Sequence, residues 1–127
     1  MANILLIEPD PNLSKIYNEA LGLDGHKIFV RRSAQRAIHL LDDQAVDLIL
    51  LEPKLVGHNG IEFLYELRSY VEWQSIPVIL LTSQDAAIMQ NKILTEKIGI
   101  VAYLYKPVTT TNLLRLSVKQ ALNIKTV

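Results

Sequence analysis

Residues 48–60 read LILLEPKLVGHNG, an apolar run that ends in the carboxylate of Glu52 and passes into a loop. The uninterrupted run indicates a strand buried on both faces, because a strand with one wet face would alternate apolar and polar residues. Pro53, Gly57 and Gly60 are typical of a loop. The stretch therefore predicts a central strand of a parallel sheet, with an acidic side chain at its carboxyl end.

Similar apolar runs recur on either side and alternate with segments of helical periodicity, which indicates a parallel sheet covered by helices on both faces. We predict strands at residues 3–7, 27–31, 47–51, 77–81 and 101–105. Apolar residues spaced i, i+3, i+4 and i+7 predict helices over residues 13–20, 34–41, 63–71, 87–98 and 114–122, with Asn59 and Asp85 at N-cap positions. The result is a doubly wound α/β fold, and both common strand orders of such folds place ligands outside the carboxyl ends of the strands.

Composition restricts the class of protein. The chain has 127 residues, half of them apolar, which is enough for one compact domain over residues 1–127. Thirteen basic side chains balance thirteen acidic ones, so no net charge draws the chain toward nucleic acid or an anionic membrane. The absence of cysteine excludes disulfides and thiolate metal sites. No apolar run approaches the roughly 20 residues that span a bilayer, and no basic segment suggests a signal peptide. We expect a cytoplasmic protein.

Prolines mark one edge of the predicted sheet. Pro9, Pro11, Pro53 and Pro107 fall just past strand ends, where a missing N–H breaks no ladder bond. The carboxyl ends of parallel strands meet at one edge, so the polar residues that follow the strands predict an acidic pocket with one cation. Those residues are Glu8, Asp10, Glu52, Thr82, Ser83 and Lys106.

Three motifs, in this order along the chain, carry a resemblance to a known family. They are residues 47–51 leading into the glycine loop, residues 76–83 (IPVILLTS) and residues 103–107 (YLYKP). With them the chain resembles the CheY-like receiver domains of two-component response regulators over essentially its whole length. The resemblance implies a flavodoxin-like five-stranded parallel sheet in the order 2-1-3-4-5 and a role in phosphorelay signal transduction.

The resemblance also implies a set of site residues. In receivers two adjacent acids follow strand one, a phosphoacceptor Asp follows strand three, a Thr or Ser follows strand four and a Lys follows strand five. The matching positions here hold Glu8, Pro9, Glu52, Thr82 and Lys106. By the same resemblance Thr82, Ser83 and Lys106 stand at phosphate-site positions, and Glu8, Pro9 and Asp10 stand at vestigial metal-site positions.

Pro9 and Glu52 depart from the family pattern. Pro9 replaces an acid that binds Mg²⁺ in receivers, and proline has no side-chain oxygen. Mg²⁺ requires near-octahedral oxygen ligands at about 2.0–2.1 Å, so we expect weak or no binding unless Asp10 compensates. Glu52 is longer than Asp by one methylene, which displaces the nucleophilic oxygen by more than about 1 Å and opposes in-line attack. We therefore predict an atypical pseudo-receiver, not an enzyme and not phosphorylated, that acts as a protein–protein interaction module.

Two lysines bear on the charge of the pocket. An ammonium at the mouth of an acidic pocket usually pairs, so we expect Lys106 to contact Glu52. The resemblance implies a cis Lys106–Pro107 bond that aims the lysine there. Lys54 could fold into the pocket as a substitute cation, although an extended, solvated side chain is equally compatible with the sequence. The three histidines lack metal-ligand spacing and are interpreted as surface or structural residues, namely His26, His39 and His58.

An output surface also follows from the resemblance. Receivers couple the site, through positions that correspond to Thr82 and Tyr103, to the face of helix four, strand five and helix five. Residues 86–98 hold more apolar residues than one core-facing stripe requires, so with Leu113, Leu116 and Tyr103 they predict an exposed apolar patch. The expected partner is a protein, either a histidine kinase, an output protein or a second copy in a homodimer.

Two other functions remain open from the sequence. One is a working receiver that accepts phosphate from a histidine kinase at Glu52 or Asp10. The other is a small Mg²⁺-dependent phosphate-processing enzyme that uses the carboxylates of Glu8, Asp10 and Glu52. Mg²⁺ affinity separates both from a pseudo-receiver. The partner, the oligomeric state and whether the domain stands alone are also open.

Overall fold

A five-stranded parallel sheet forms the centre of the molecule. The computed structural model describes residues 1–55, 58–83 and 99–126, with the backbone alone for residues 58–59 and 124–126. The strands of the sheet are β1 (Asn3–Ile7), β2 (Lys27–Arg31), β3 (Leu48–Leu51), β6 (Val78–Thr82) and β7 (Ile100–Tyr105). Between β3 and β6 lies a short antiparallel pair, β4 (Lys54–Leu55) and β5 (His58–Asn59). The order β2-β1-β3-β6-β7 confirms the doubly wound α/β fold with strand order 2-1-3-4-5.

The strand ends differ from the predicted ones by single residues. Asp47 lies outside β3, and its carboxylate Oδ2 accepts the N–H of Asn3 at 2.8 Å. Pro77 lies outside β6 because it has no N–H to donate, although its carbonyl accepts the N–H of Ile49 at 3.0 Å. β6 extends one residue further than predicted, to Thr82, and β7 begins one residue earlier, at Ile100. Thr82 therefore belongs to the sheet.

Four helices are described. They are α1 (Pro11–Gly22), α2 (Ala34–Asp43), α3 (Gly60–Arg68) and α4 (Thr111–Thr126), of which α4 corresponds to the last helix predicted from the sequence. Ser33 caps α2 and accepts the N–H of Arg36 at 3.2 Å, and α3 begins directly after Asn59. The predicted extension of the third helix to Val71 is wrong, because Val71 lies in a separate 3₁₀ turn and is exposed. The predicted helix over residues 87–98 and the cap at Asp85 lie outside the described residues.

The sheet separates two apolar cores. On one face, Leu5 and Ile7 of β1 pack with α2 and α3. On the other face, Ile4 and Leu6 pack with α1 and α4. Side chains of a strand alternate between faces, so continuous apolar runs supply both cores at once. This packing fixes the strands whose carboxyl ends carry the polar residues.

Candidate functional site

Polar side chains converge at the carboxyl edge of the sheet as the sequence predicts. Glu8 follows β1, Glu52 follows β3, Thr82 ends β6 and Lys106 follows β7. Glu8 is 1% exposed, Glu52 4% and Thr82 0%. Charged side chains are rarely buried to this degree unless they are paired. The burial therefore requires an internal partner for both carboxylates.

Lys106 is that partner. Its Nζ forms an ion pair with Oε1 of Glu8 and lies 3.0 Å from Oε1 of Glu52, and its side chain is only 9% exposed. One ammonium thus bridges two buried carboxylates that arrive on different strands. The predicted contact between Lys106 and Glu52 is confirmed.

The prediction of a cis Lys106–Pro107 bond is wrong. The described part of the chain holds only trans peptide bonds. Residues Lys106–Val108 form a 3₁₀ turn directly after β7, and proline suits such a turn because its ring restricts φ to about –65°. The long lysine side chain reaches both glutamates from this turn, so the contact does not depend on a cis isomer.

The Glu52 carboxylate accepts hydrogen bonds from two further connections. The backbone N–H and the hydroxyl of Ser83 donate to Oε1, at 3.4 and 3.3 Å. The backbone N–H of Lys54 donates to Oε2 at 3.2 Å. Lys54 contributes only this N–H. The residue is exposed, which agrees with the expectation of an extended, solvated side chain and not with a substitute cation in the pocket. Lys106 is the cation that the structure places between the carboxylates.

Glu8 is held from two sides in a desolvated position. Its Oε2 accepts the N–H of Asp10 at 3.2 Å, and its Oε1 faces Lys106. Burial raises the pKa of Glu8 above its ordinary value of 4.5, and the hydrogen bond with Lys106 opposes this shift without cancelling it. Tyr17 lies nearby in the core, where burial, and then the charges of Glu8, Glu52 and Asp10, raises its pKa to about 12. In both groups burial is the largest cause of the pKa shift, which identifies a desolvated site.

Asp10 has a structural task that the sequence reasoning missed. Its Oδ1 accepts the N–H groups of Asn12 at 2.8 Å and Leu13 at 3.2 Å, which caps α1, and the residue is exposed. The signal was present in the sequence, since an Asp directly before Pro11 is the pattern of an N-cap followed by proline at the first helical position. The carboxylate is therefore committed to the helix.

Arg32 was also missed. Its guanidinium donates to the carbonyl oxygen of Pro9 from Nη2 at 3.0 Å and from Nε at 3.3 Å. The contact ties the connection after β1 to the end of β2. No sequence pattern marked it, because an exposed arginine that binds a backbone carbonyl has no fixed spacing from its acceptor.

The residues at this edge do not fit a divalent cation. Glu8 and Glu52 both face the ammonium of Lys106, Asp10 caps α1, and Pro9 has no side-chain oxygen. In the described residues no three Asp, Glu, His or Cys side chains lie close enough together to hold a metal ion. Mg²⁺ prefers several oxygen ligands in a strict geometry, and a fixed ammonium in their midst repels it.

Gly60 fixes the loop that follows Glu52. Its N–H donates to the carbonyl of Pro53 at 2.8 Å. A Cβ atom at position 60 would lie 2.5 Å from the Cα of Pro53, a distance that real Cβ atoms do not tolerate. Only glycine therefore allows α3 to start so close to the backbone beside Glu52. This close packing holds the N–H of Lys54 near the carboxylate.

The proposed switch residues lie on the sheet. Thr82 is paired in register with Tyr105, and Tyr103 pairs with Leu80. Tyr103 is half-buried against the core formed with α2 and α3. Leu113 and Leu116 are exposed on α4, which packs on the opposite face of the sheet. A single patch that includes all three side chains must therefore extend around the edge strand β7, and residues 86–98 lie outside the described residues.

The described histidines have no common site. His26 is half-buried and its Nδ1 accepts the N–H of Ala2 at 3.2 Å, which is a structural role. His39 is exposed. These two positions agree with the interpretation as surface or structural residues, and the side chain of His58 lies outside the described part. In the same part of the chain, no helix is long and apolar enough to cross a membrane.

A doubly wound α/β domain with a buried acid after β3, a threonine at the end of β6 and a lysine after β7 has the layout of a signalling receiver. The response regulator receiver domain model matches residues 4–117. The chain belongs to this family, and it is a receiver domain of the two-component type.

Known proteins agree with this assignment. The transcriptional regulatory protein CpxR of Klebsiella pneumoniae is 36% identical over 107 residues, covering 84% of this chain and 44% of the relative. The transcriptional regulatory protein MalR of Bacillus subtilis is 36% identical over 109 residues, covering 84% and 45%. The chain thus spans less than half the length of these relatives. A sensor protein from Polaromonas sp. JS666 matches with a TM-score of 0.87 over 96% of both chains, and its 20% identity bears on the fold alone.

Proposed function

We propose that this receiver domain is not phosphorylated and that it acts as a protein–protein interaction module held in one charge state. The observation that carries the proposal is the bridge of Lys106 between Glu8 and Glu52. In that arrangement the position of the phosphoacceptor is already paired with a cation from within the chain. The domain would then signal by the surface that it presents.

The contacts of Glu52 argue against nucleophilic attack. An attacking oxygen needs a free lone pair in line with the phosphorus atom. Oε1 of Glu52 is surrounded by Lys106 and by two donors of Ser83, and Oε2 accepts from Lys54. Attack by Oε1 would require breaking contacts that hold a buried carboxylate in place, and attack by Oε2 would have to take place beside the N–H of Lys54.

Charge argues in the same direction. Phosphoryl transfer in this family of reactions depends on a divalent cation that neutralises the developing charge. The residues present supply an ammonium between two carboxylates, with Pro9 and the helix cap Asp10 beside it. We expect Mg²⁺ binding to be weak or absent, because no free set of carboxylates remains to bind it.

The test is exposure of the purified chain to acetyl phosphate and Mg²⁺, followed by intact mass measurement. We expect the native chain to keep its mass. The matched control is the double variant Pro9→Asp with Glu52→Asp, which rebuilds the acids of the family pattern and should bind Mg²⁺ in calorimetry. A phosphoryl group mapped to Glu52 or Asp10 of the native chain would contradict the proposal.

We propose the face around β7 and α4 as the docking surface for a histidine kinase, an output protein or a second copy. Leu116 is 51% exposed on α4, and Leu113, Val101 and Tyr105 are also exposed. Exposed apolar side chains that gather on one surface tend to mark interaction sites. In receivers generally, partners are proteins of these kinds.

A pair of variants on α4 tests the docking surface. Leu116→Glu should abolish self-association in ultracentrifugation, or binding to a candidate kinase or output protein, while the melting temperature stays nearly unchanged. Leu114→Glu is the matched control, since Leu114 is 0% exposed and its replacement should unfold the domain. Unchanged association of Leu116→Glu, or a large loss of its stability, would exclude this face.

A further inference from the structure

A histidine joins the start of β1 to the turn that precedes β2, at the amino edge of the sheet. The backbone N–H of Ala2 donates to Nδ1 of His26 at 3.2 Å, and the N–H of Lys27 donates to the carbonyl of Ala2 at 2.9 Å. His26 is half-buried. A ring nitrogen accepts a hydrogen bond only while it carries no proton, so protonation of Nδ1 must break the contact with Ala2.

The same turn is tied to the last helix. Asp24 lies two residues before His26, and the guanidinium of Arg115 on α4 donates to both oxygens of its carboxylate, at 2.6 and 3.0 Å. Gly25 between them has a φ of 82°, a backbone conformation that favours glycine, and its N–H donates to the carbonyl of Gly22 at 3.0 Å. In this tight turn the charges of Asp24 and His26 influence each other's pKa. Asp24 is therefore the carboxylate available to a protonated His26.

We propose that His26 is a pH-sensitive latch between β1 and α4. In the neutral state its Nδ1 binds the N–H of Ala2 and leaves Asp24 to Arg115. A proton taken up from solvent at Nδ1 turns this acceptor into a donor, which repels the N–H of Ala2 and competes with Arg115 for Asp24. The start of β1 and the contact between the turn and α4 then loosen together.

Other charged groups surround the ring of His26. Those that line the same surface cavity belong to Asp24, Asp47, Arg115, Lys119 and the amino group of Met1. Asp47 already accepts the N–H of Asn3 through Oδ2 at 2.8 Å. The ammonium of Lys27, the next residue along β2, lies 5.1 Å from the centre of the ring of Phe29. The cations of this set disfavour a protonated His26, and the carboxylates favour it.

The balance of these effects sets the direction of the switch. Burial lowers the pKa of His26 below its ordinary value of 6.5, the charge of Asp24 opposes this shift, and the amino group of Met1 adds to it. The stability that the neutral ring contributes is therefore present above pH 6.5 and is lost as the pH falls through the pKa of the folded state. The latch is closed at neutral pH and opens in acid.

The test is a pH titration of the native chain by NMR, from about pH 8 to about pH 4.5, a range that contains the ordinary pKa of histidine and ends above that of aspartate. The ring resonances of His26 report its protonation, and the side-chain Nε–H of Arg115 reports its contact with Asp24. Protection of the Lys27 amide from hydrogen exchange, corrected for the intrinsic exchange rate, reports the start of β1. We expect all three to change with one midpoint below pH 6.5, with about a tenfold loss of protection at Lys27. A ring that stays neutral throughout, or a ring that titrates while either Arg115 or Lys27 stays unchanged, overturns the latch.

Two variants separate the latch from a general effect of pH. His26→Asn keeps a side-chain oxygen in place of Nδ1 as an acceptor and takes up no proton, so Arg115 and Lys27 should no longer respond over this range. His39→Asn, at an exposed histidine of α2, is the matched control and should keep the native response. A persisting response in His26→Asn overturns the proposal.

A third variant covers the case in which His26→Asn fails to fold. Asp24→Asn removes the carboxylate that favours the protonated ring, so the midpoint of His26 should move to lower pH. Asp42→Asn, at an exposed aspartate of α2, should leave that midpoint in place. An unchanged midpoint in Asp24→Asn would show that Asp24 does not receive the protonated ring, and this result also overturns the latch.

Discussion

At two ion-paired sites of this molecule, the pKa values of the carboxyl groups are shifted in opposite directions. At the carboxyl edge, Lys106 bridges Glu8 and Glu52 in a buried pocket. Elsewhere on the surface, Arg115 holds Asp24 at 2.6 Å with about a third of each side chain exposed. Burial raises the pKa of Glu8, whereas the hydrogen bond with Arg115 lowers the pKa of Asp24. Pairing with a cation favours the charged form of the carboxyl group at both places, but at Glu8 the effect of burial on the pKa is larger.

The difference in burial suggests different roles for the two ion pairs. A buried pair gives up its hydration and often adds little net stability over an apolar replacement, while an exposed pair gives up little and is worth little. Such an arrangement at the carboxyl edge favours a role in fixing one state of the site. Removing the cation from each pair should therefore have different effects on the stability of the fold.

The largest effect is expected from Lys106→Met. This change leaves Glu8 and Glu52 buried without their cation, which should lower the free energy of unfolding by about 3–5 kcal/mol at neutral pH. The loss should shrink at acidic pH, because protonation removes the repulsion between the carboxylates. Chemical denaturation at two pH values measures both effects.

Lys54→Met is the matched control for Lys106→Met. It removes an exposed ammonium from the loop after Glu52 and keeps the backbone N–H that Glu52 accepts. Its unfolding free energy should stay close to that of the native chain. A loss in Lys106→Met as small as that in Lys54→Met would show that Lys106 contributes no more to stability than an exposed lysine.

A smaller effect is expected in the pH dependence contributed by Glu8. Its pKa in the folded state lies above the ordinary value of 4.5, so the folded state holds this proton more tightly than the unfolded chain. The contribution of Glu8 to the free energy of unfolding is therefore fully present below pH 4.5 and declines as the pH rises through the pKa of the folded state. Glu8→Gln should flatten the fall of stability over this range, measured by urea unfolding from pH 4.5 upward. An equally steep fall in Glu8→Gln would place the responsible proton elsewhere.

The smallest effect is expected from Arg115→Gln. Asp24 lies at the surface, and its pKa lies below the ordinary value of 3.8, so any stability from the pair is present above that pH and lost as pH falls through the folded pKa. Water and salt screen such a pair, and the melting temperature at neutral pH should barely change. A loss comparable to that of Lys106→Met would remove the distinction between the two pairs.

The fold could be predicted from the sequence because its signals are redundant. Continuous apolar runs such as that of residues 48–51 indicate strands buried on both faces, and the segments of helical period between them indicate the alternation of strands and helices. The failure at Val71 has a local cause, since periodicity cannot distinguish the last turn of a helix from a 3₁₀ turn that follows it. Two strands begin one residue later than predicted. The side chain of Asp47 accepts the N–H of Asn3, and Pro77 has no N–H to donate to a neighbouring strand.

The site was predictable in its members and less so in its geometry. Position after strand ends was enough to bring Glu8, Glu52 and Lys106 together. The sequence did not reveal that Lys106 would serve both glutamates, because a lysine side chain can reach in many directions from one backbone position. Asp10 was assigned to the pocket although its pattern with Pro11 predicted a helix cap, and the cap is what the structure contains. The carboxylate of Asp10 therefore caps its own helix instead of serving the pocket.

The central claim is that the site is held in one state from within, and amide NMR spectra test it most directly. Spectra of the native chain are compared before and after addition of Mg²⁺ with beryllofluoride, an analogue of the phosphoryl group. We predict no change at Thr82 or Tyr103, while the double variant Pro9→Asp with Glu52→Asp responds at both residues. A saturable shift at Thr82 and Tyr103 in the native chain would contradict the claim.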